Sequence, residues 1–146
     1  MRALSILRTL VTLLAVVGIV VSVLALEVHY STSPQACSIN ETWDCGLVNH
    51  SPYAQIGPLP VAVLGVVGYL ALAVVAWLPL SLPLFLASAA GCVFALYLTF
   101  IEKFVLMAWC LYCVISQCAI FLILLLSFAW FLVDYLQGYK ARSRLL

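Results

Sequence analysis

The sequence predicts an all-α membrane protein, a four-transmembrane-helix bundle with a cysteine-bearing outer loop, on three observations. Of 146 residues, 67% are hydrophobic and only 8% charged, against about half apolar and a quarter charged in a soluble globular domain. The apolar residues fall in long runs, each close to the ~20 residues that a helix needs to cross a hydrocarbon core of about 30 Å. The polar residues collect between and beyond those runs. A chain this short is expected to form one domain over residues 1–146, with no room for an appended soluble domain. Its net charge of +1, with six Lys and Arg in total, argues against nucleic acid as a partner, because phosphate binding needs clustered cations.

The first predicted span covers about residues 9–28 and follows Arg2 and Arg8. Its apolar stretch is longer than that of a signal peptide and no A-x-A site follows, so it reads as a retained anchor. Residues 27–58 form a polar outer loop with Pro34, Pro52, Pro58, two His, three acids and no Lys or Arg. Proline removes backbone donors and restricts its neighbours, which predicts an irregular segment. The second span, about 59–78, carries Pro60 in its first turn, where proline is tolerated. Pro79, Ser81 and Pro83 make a short turn into the third span, about 82–101, which the pair Glu102 and Lys103 ends. From Phe104 to Val133 there is no charge, and one straight helix of that length would measure about 45 Å. The helix must tilt, or its first residues must form a lip before a crossing at about 110–133. Gly65, Gly68, Ala87, Ala90 and Gly91 are small enough to let helices approach closely.

Five of the six basic residues sit near the two termini: Arg2, Arg8, Lys140, Arg142 and Arg144. The positive-inside rule then makes both termini cytoplasmic. Four spans place the 27–58 loop and the 102–109 connection together on the outer side, with Trp43, Tyr53, Trp109 and Tyr112 as an aromatic belt.

Six cysteines are the other unusual feature. Cys92 and Cys118 fall inside spans, where a cysteine behaves as a small packed hydrophobe. Cys110-Leu-Tyr-Cys113 is a C-x-x-C motif with its sulfurs one turn apart on one helix face, near a helix start that favours thiolate. Cys37 and Cys45 lie in the loop on the same side of the membrane. Two pairs on one oxidising face suggest a relay by disulfide exchange, which needs no metal. The alternatives are a Cys37–Cys45 staple, or a zinc site, for which the x7 spacing is wrong and nothing brings His29 and His50 together. No Rossmann fingerprint, phosphate loop or haem or iron–sulfur ligand set is present, which leaves a lipid-soluble quinone as the simplest two-electron acceptor. Ser51, just before Pro52 and Tyr53, is a candidate donor to its carbonyl, or else a turn residue.

In combination these motifs resemble the vitamin K epoxide reductase family, and specifically its bacterial quinone-linked thiol oxidases. The matching residues are Cys37 and Cys45 in the first loop, Ser51-Pro52-Tyr53-Ala54 leading through Gly57-Pro58-Leu59-Pro60, and Cys110-Leu-Tyr-Cys113. The resemblance implies a four-helix bundle around a quinone, ubiquinone, menaquinone or a relative, capped by the loop and a short interfacial helix. It implies that Cys37 exchanges with a partner and that Cys45 passes electrons to Cys110. Cys113 then faces the quinone, Ser51 belongs to its site and Tyr53 shields it. Gln117 stands where the animal enzymes have tyrosine, and the thioredoxin-like domain fused to many bacterial members is not expected within residues 1–146. The expected function is therefore a thiol oxidase of the cell inner membrane, serving a separate thioredoxin-fold protein on the outer side. The competing functions are reduction of a quinone or quinone epoxide, and a non-catalytic stapled scaffold.

Overall fold

The computed structural model describes the backbone of residues 2–32 and 37–143 and the side chains of residues 4–32 and 37–137. Pro34 and Arg144, invoked above for the loop and the charge bias, lie outside the described residues, and so do the side chains of Arg2, Lys140 and Arg142. The chain is mostly helical. Four helices, α1 (Arg2–Tyr30), α3 (Val61–Val75), α4 (Ser81–Ile101) and α5 (Leu111–Ser143), build the body, and a one-turn helix, α2 (Cys45–Asn49), sits in the first loop. Helix α1 packs on α3 and α5, and α4 packs on α5.

The helices alternate in direction. Arg8, near the start of α1, donates from Nη2 to the Leu78 carbonyl just beyond α3 at 3.3 Å and lies 5.5 Å from the centre of the Trp130 ring of α5. A cation at a helix C-terminus complements the macrodipole there. At the opposite end, His29 of α1 bonds through Nδ1 to the carbonyl of Asn49, beside the start of α5. Between these ends Val11, Ala15, Leu84 and Ile123 are fully buried. Many large apolar side chains, among them Leu13, Val67, Leu86 and Leu125, instead stand exposed. So much uncovered apolar surface needs an apolar surrounding. Leu4–Tyr30, Ser81–Leu106 and Leu111–Gln137 are each long and apolar enough to cross a membrane, whereas Val61–Val75 is apolar but shorter.

Several boundaries differ from the sequence expectation. Helix α1 runs to Tyr30, two residues past the expected end. The expected second span, 59–78, divides: Leu59–Pro60 is a strand, β2, paired antiparallel with β1 (Gln55–Ile56), and the helix begins at Val61. Gly57 turns this hairpin with φ +61°, a backbone region that only glycine enters without strain. Residues Ala76–Leu78 close α3 as a looser turn. The third helix does not stop at Glu102 but widens into a π-helical turn, Glu102–Leu106. Met107 then reverses the chain in the left-handed region, φ 54°, at a cost of about 1–3 kcal/mol for a residue with a side chain. The uncharged stretch from Phe104 is thus a lip of non-α residues followed by a long helix that starts at Leu111.

Close approach uses small residues selectively. A Cβ on Gly65 would lie 2.6 Å from Ser22 Oγ, and one on Gly91 3.1 Å from Ile120, but Gly68 has nothing within 4 Å. Gly18, not singled out by the sequence, faces the Tyr69 ring.

Candidate redox site

All four motif cysteines converge at the loop end of the bundle. The loop segment before Cys45 lies alongside the segment before Cys110 in a parallel bridge, Trp43 to Trp109. Asp44 N–H donates to the Trp109 carbonyl at 3.0 Å and Trp109 N–H to the Thr42 carbonyl at 2.8 Å. With this register Cys110 comes one residue and Cys45 two residues after the bridged tryptophans on neighbouring backbones. Cys37, Cys45, Cys110, Val28, Val48 and Ala108 form one buried cluster, against which Tyr112 and Cys113 pack.

Cys37 and Cys45 form a disulfide with Cα atoms 5.7 Å apart, and Cys110 and Cys113 carry free thiols. Cys37, which the resemblance makes the member that exchanges with a partner, is only 3% exposed in this conformation, and Cys45 is fully buried. An external thiolate can reach Cys37 only if the loop opens. Cys45 opens α2, whose N-cap, Asp44, accepts from Leu47 N–H at 3.0 Å and from Ser38 Oγ at 2.7 Å. These bonds, the Leu47 one first, hold the Asp44 carboxyl below the usual range.

Asn49, at the end of the same short helix, joins the two pairs. Its Nδ2 donates to the Cys45 carbonyl at 2.9 Å and to Cys110 Sγ at 3.5 Å. A donor aimed at a sulfur stabilises negative charge on it. The Cys110 carbonyl accepts from Val114 N–H at 3.0 Å, which makes Cys110 the N-cap of α5 and puts Cys113 in its first turn, as the C-x-x-C reading expects. Glu102 is buried beside them at 3% exposure and accepts the Cys110 N–H on Oε2 at 3.3 Å. The Cys113 side chain interacts with the same carboxyl.

Below Cys113 a cavity of about 390 Å³ opens between α1, α3, α4 and α5. Its walls are mostly apolar, and its polar groups are fewer, among them Ser22, Asn49, Ser51, Thr99, Glu102, Ser116 and Gln117, with the Tyr69 hydroxyl. That volume and composition suit a flat apolar ring with carbonyls at its edge. Ser51 and Tyr53 both line it. The Ser51 hydroxyl donates to the Val48 carbonyl at 2.8 Å, so as placed it offers a ligand only a lone pair. Deeper in, Tyr69 OH bonds the Ser116 carbonyl at 2.7 Å and Ser116 Oγ at 2.8 Å.

Cys92 is buried in the apolar core, but Cys118, expected to pack there, faces outward. His29 and His50, which the sequence left apart, stack with ring centres 6.4 Å apart. Trp43 and Trp109 of the expected aromatic belt touch at 6.4 Å. Sequence reasoning missed Asn49 and Tyr69, and read Glu102 as the polar end of a span. A signal for Glu102 was available: a lone acid in an apolar run, eight residues before a C-x-x-C, is functional by default. Asn49 and Tyr69 gave none, since only their neighbours in space distinguish them.

No curated protein matches the sequence. The model of the vitamin K epoxide reductase family matches residues 9–128, a stretch that contains the four cysteines, Glu102 and every wall of the cavity. The chain therefore belongs to the vitamin K epoxide reductase family, whose members are oxidoreductases linked to quinones.

Proposed function

We propose that this chain is a quinone-dependent thiol oxidase of the bacterial type. It takes electrons from a separate thioredoxin-fold protein outside the cell inner membrane and delivers them to ubiquinone, menaquinone or a relative, sustaining disulfide formation in exported proteins. The observation that carries this reading is the single cluster of four cysteines that ends, through Cys113, at an apolar cavity. Electrons run from the partner thiols to Cys37, then Cys45, Cys110 and Cys113. The bound quinone supplies a two-electron acceptor. Asn49 and the Trp43–Trp109 bridge hold Cys45 beside Cys110 for internal exchange, Ser51 orients the ligand once its hydroxyl turns, and Tyr53 closes the outer edge of the cavity.

Residues 1–146 act as one domain with four crossings. Helix α3 alone is about 22 Å long at 1.5 Å per residue, and its flanking turns complete the passage. Arg8 marks the cytoplasmic end with both termini, the cysteines lie outside, and α2 is the short helix at the interface.

The test is purified protein mixed with a reduced thioredoxin-fold protein and a soluble quinone. Turnover that needs both Cys110 and Cys113 is expected. Activity on a quinone epoxide but not with the thioredoxin-fold protein would reassign the chain as a reductase, and no turnover would make it a scaffold. An impermeant thiol reagent should label reduced Cys37 in intact cells. Labelling only after lysis would reverse the orientation. Ser51→Ala should weaken quinone use by about 0.5–1.5 kcal/mol, read as a raised KM with thiol exchange at Cys37 unchanged.

A further inference from the structure

Glu102 is a buried acid that the electron relay itself does not use. It lines the cavity together with Cys113, and among the described residues no Lys, Arg or His is paired with it. Neighbouring Lys103 points away, its Nζ 5.2 Å from the centre of the Phe104 ring. A carboxyl without a counter-ion is costly to bury, and this one is held in place with some effort. The π-helical turn begins at Glu102, its carbonyl takes the Ala108 N–H at 3.2 Å, and its Oε2 takes the Cys110 N–H. The same turn costs the left-handed Met107. Packing alone would be served better by leucine.

The redox step proposed above, on which this inference rests, has a proton balance to meet. When the Cys110 and Cys113 thiols join in an S–S bond they lose two electrons and two protons, and the two oxygens of the quinone gain both. Cys110 is fully buried and Glu102 nearly so, so a protein group beside the thiols is better placed than solvent to move the protons.

We infer that Glu102 is the proton carrier of the site: its carboxylate takes the Cys113 proton and then the Cys110 proton, and releases each in turn to a quinone oxygen in the cavity. Cys110 and Cys113 are the titratable groups that face it. One carboxyl oxygen stays on the Cys110 N–H, which leaves the other free to swing between sulfur and cavity. General acid–base groups of this kind contribute about 10²–10⁴-fold to a rate.

Two measurements on the full-length protein test this. Glu102→Gln keeps the size and the acceptor for the Cys110 N–H but cannot carry a proton. Its kcat with a soluble quinone should fall about 100-fold or more, with KM within about threefold, and Glu102→Asp should recover part of the loss. An unchanged kcat, or a loss that Asp does not relieve, would overturn the assignment. The second measurement omits quinone and follows the reaction of the reduced protein with an uncharged maleimide at Cys113. A carboxylate acting as base speeds this reaction, so Glu102→Gln should slow it about tenfold or more near neutral pH. A carboxylate that is only a negative neighbour disfavours thiolate, and removing it would leave the rate unchanged or raise it, which would sink the proposal. If the wild type fails to reduce quinone, the thiol-oxidase reading falls, while the maleimide result still decides the role of Glu102. Should the Gln variant not fold, the Asp variant serves in both measurements. Its shorter reach should give intermediate rates, and wild-type rates in both would count against a proton carrier.

Discussion

Ser88 and Ser127, in the half of the bundle nearer Arg8, are fully buried and lie with their hydroxyls 2.8 Å apart, so that one donates to the other while its partner donates to its own helix carbonyl, Phe85 or Leu124. Asn49, Ser51 and Glu102, at the loop end, are nearly as buried but border an open cavity and a pair of free thiols. The first set satisfies itself within close-packed core, so it can do no more than hold α4 to α5. The second retains lone pairs and protons that a ligand can use. Buried polarity thus marks a site only where it adjoins a void, a distinction that neither residue type nor depth in the membrane provides.

The largest effect that would break this contrast is chemical. Replacing Cys37 and Cys113 with Ser removes the thiols that resolve the internal exchange, so a Cys45–Cys110 disulfide should accumulate in cells and turnover should fall to background. Mass spectrometry after acid quench reads the bond. Free Cys45 and Cys110 in a folded variant whose partner is still oxidised would leave the loop pair as a staple and remove the special status of the loop end.

Next in size is Gly18→Ala, which probes the joint between the two halves. The added Cβ would meet the Tyr69 ring in overlap, and overpacking of that kind costs about 1–3 kcal/mol. Because the Tyr69 hydroxyl is tied to Ser116 in the cavity, both thermal stability and quinone KM should suffer. A stability loss with unchanged KM would show that the cavity floor does not depend on this contact.

A smaller effect concerns α2 and the loop disulfide. Asp44 titrates below its ordinary range because Leu47 N–H and Ser38 Oγ bond its charged form. It therefore steadies α2 above its unfolded-state pKa and ceases to do so as the pH falls through its lower folded-state pKa. The N-cap contribution is about 1 kcal/mol. Reduction of the Cys37–Cys45 disulfide by a small phosphine should accelerate severalfold as the pH drops through that window, and Asp44→Ala should be fast throughout. A flat profile in the wild type would separate the cap from the disulfide.

Smallest of all should be the double replacement Cys92→Ala and Cys118→Ala. Cys118 faces outward and Cys92 is buried in apolar core, so turnover should stay within a few-fold and stability fall modestly. Loss of catalysis in the folded protein would mean that the redox chemistry reaches beyond the loop end.

What the sequence determined by itself was whatever depends on hydrophobicity and spacing. Apolar runs long enough for a bilayer dictate helices, because lipid leaves backbone groups no partner but one another, and C-x-x-C at a helix start dictates two sulfurs on one face. The two cysteine pairs and the candidate Ser51 could be picked out for that reason, as order and spacing along one chain. Tyr53 came from the family resemblance alone, and Ser51 and Tyr53 both line the cavity. The tertiary structure alone decided which polar groups meet. Glu102 reads as the polite end of a span until a π-turn and a left-handed Met107 fold the chain back and seal it inside. Asn49 becomes a link between the cysteine pairs only because the Trp43–Trp109 bridge sets two distant segments in register. Cys37 is buried in the same cluster as Cys45 and Cys110, and Cys118 faces outward rather than in, because helix rotation and packing follow from contacts summed over the whole bundle, which no local pattern encodes.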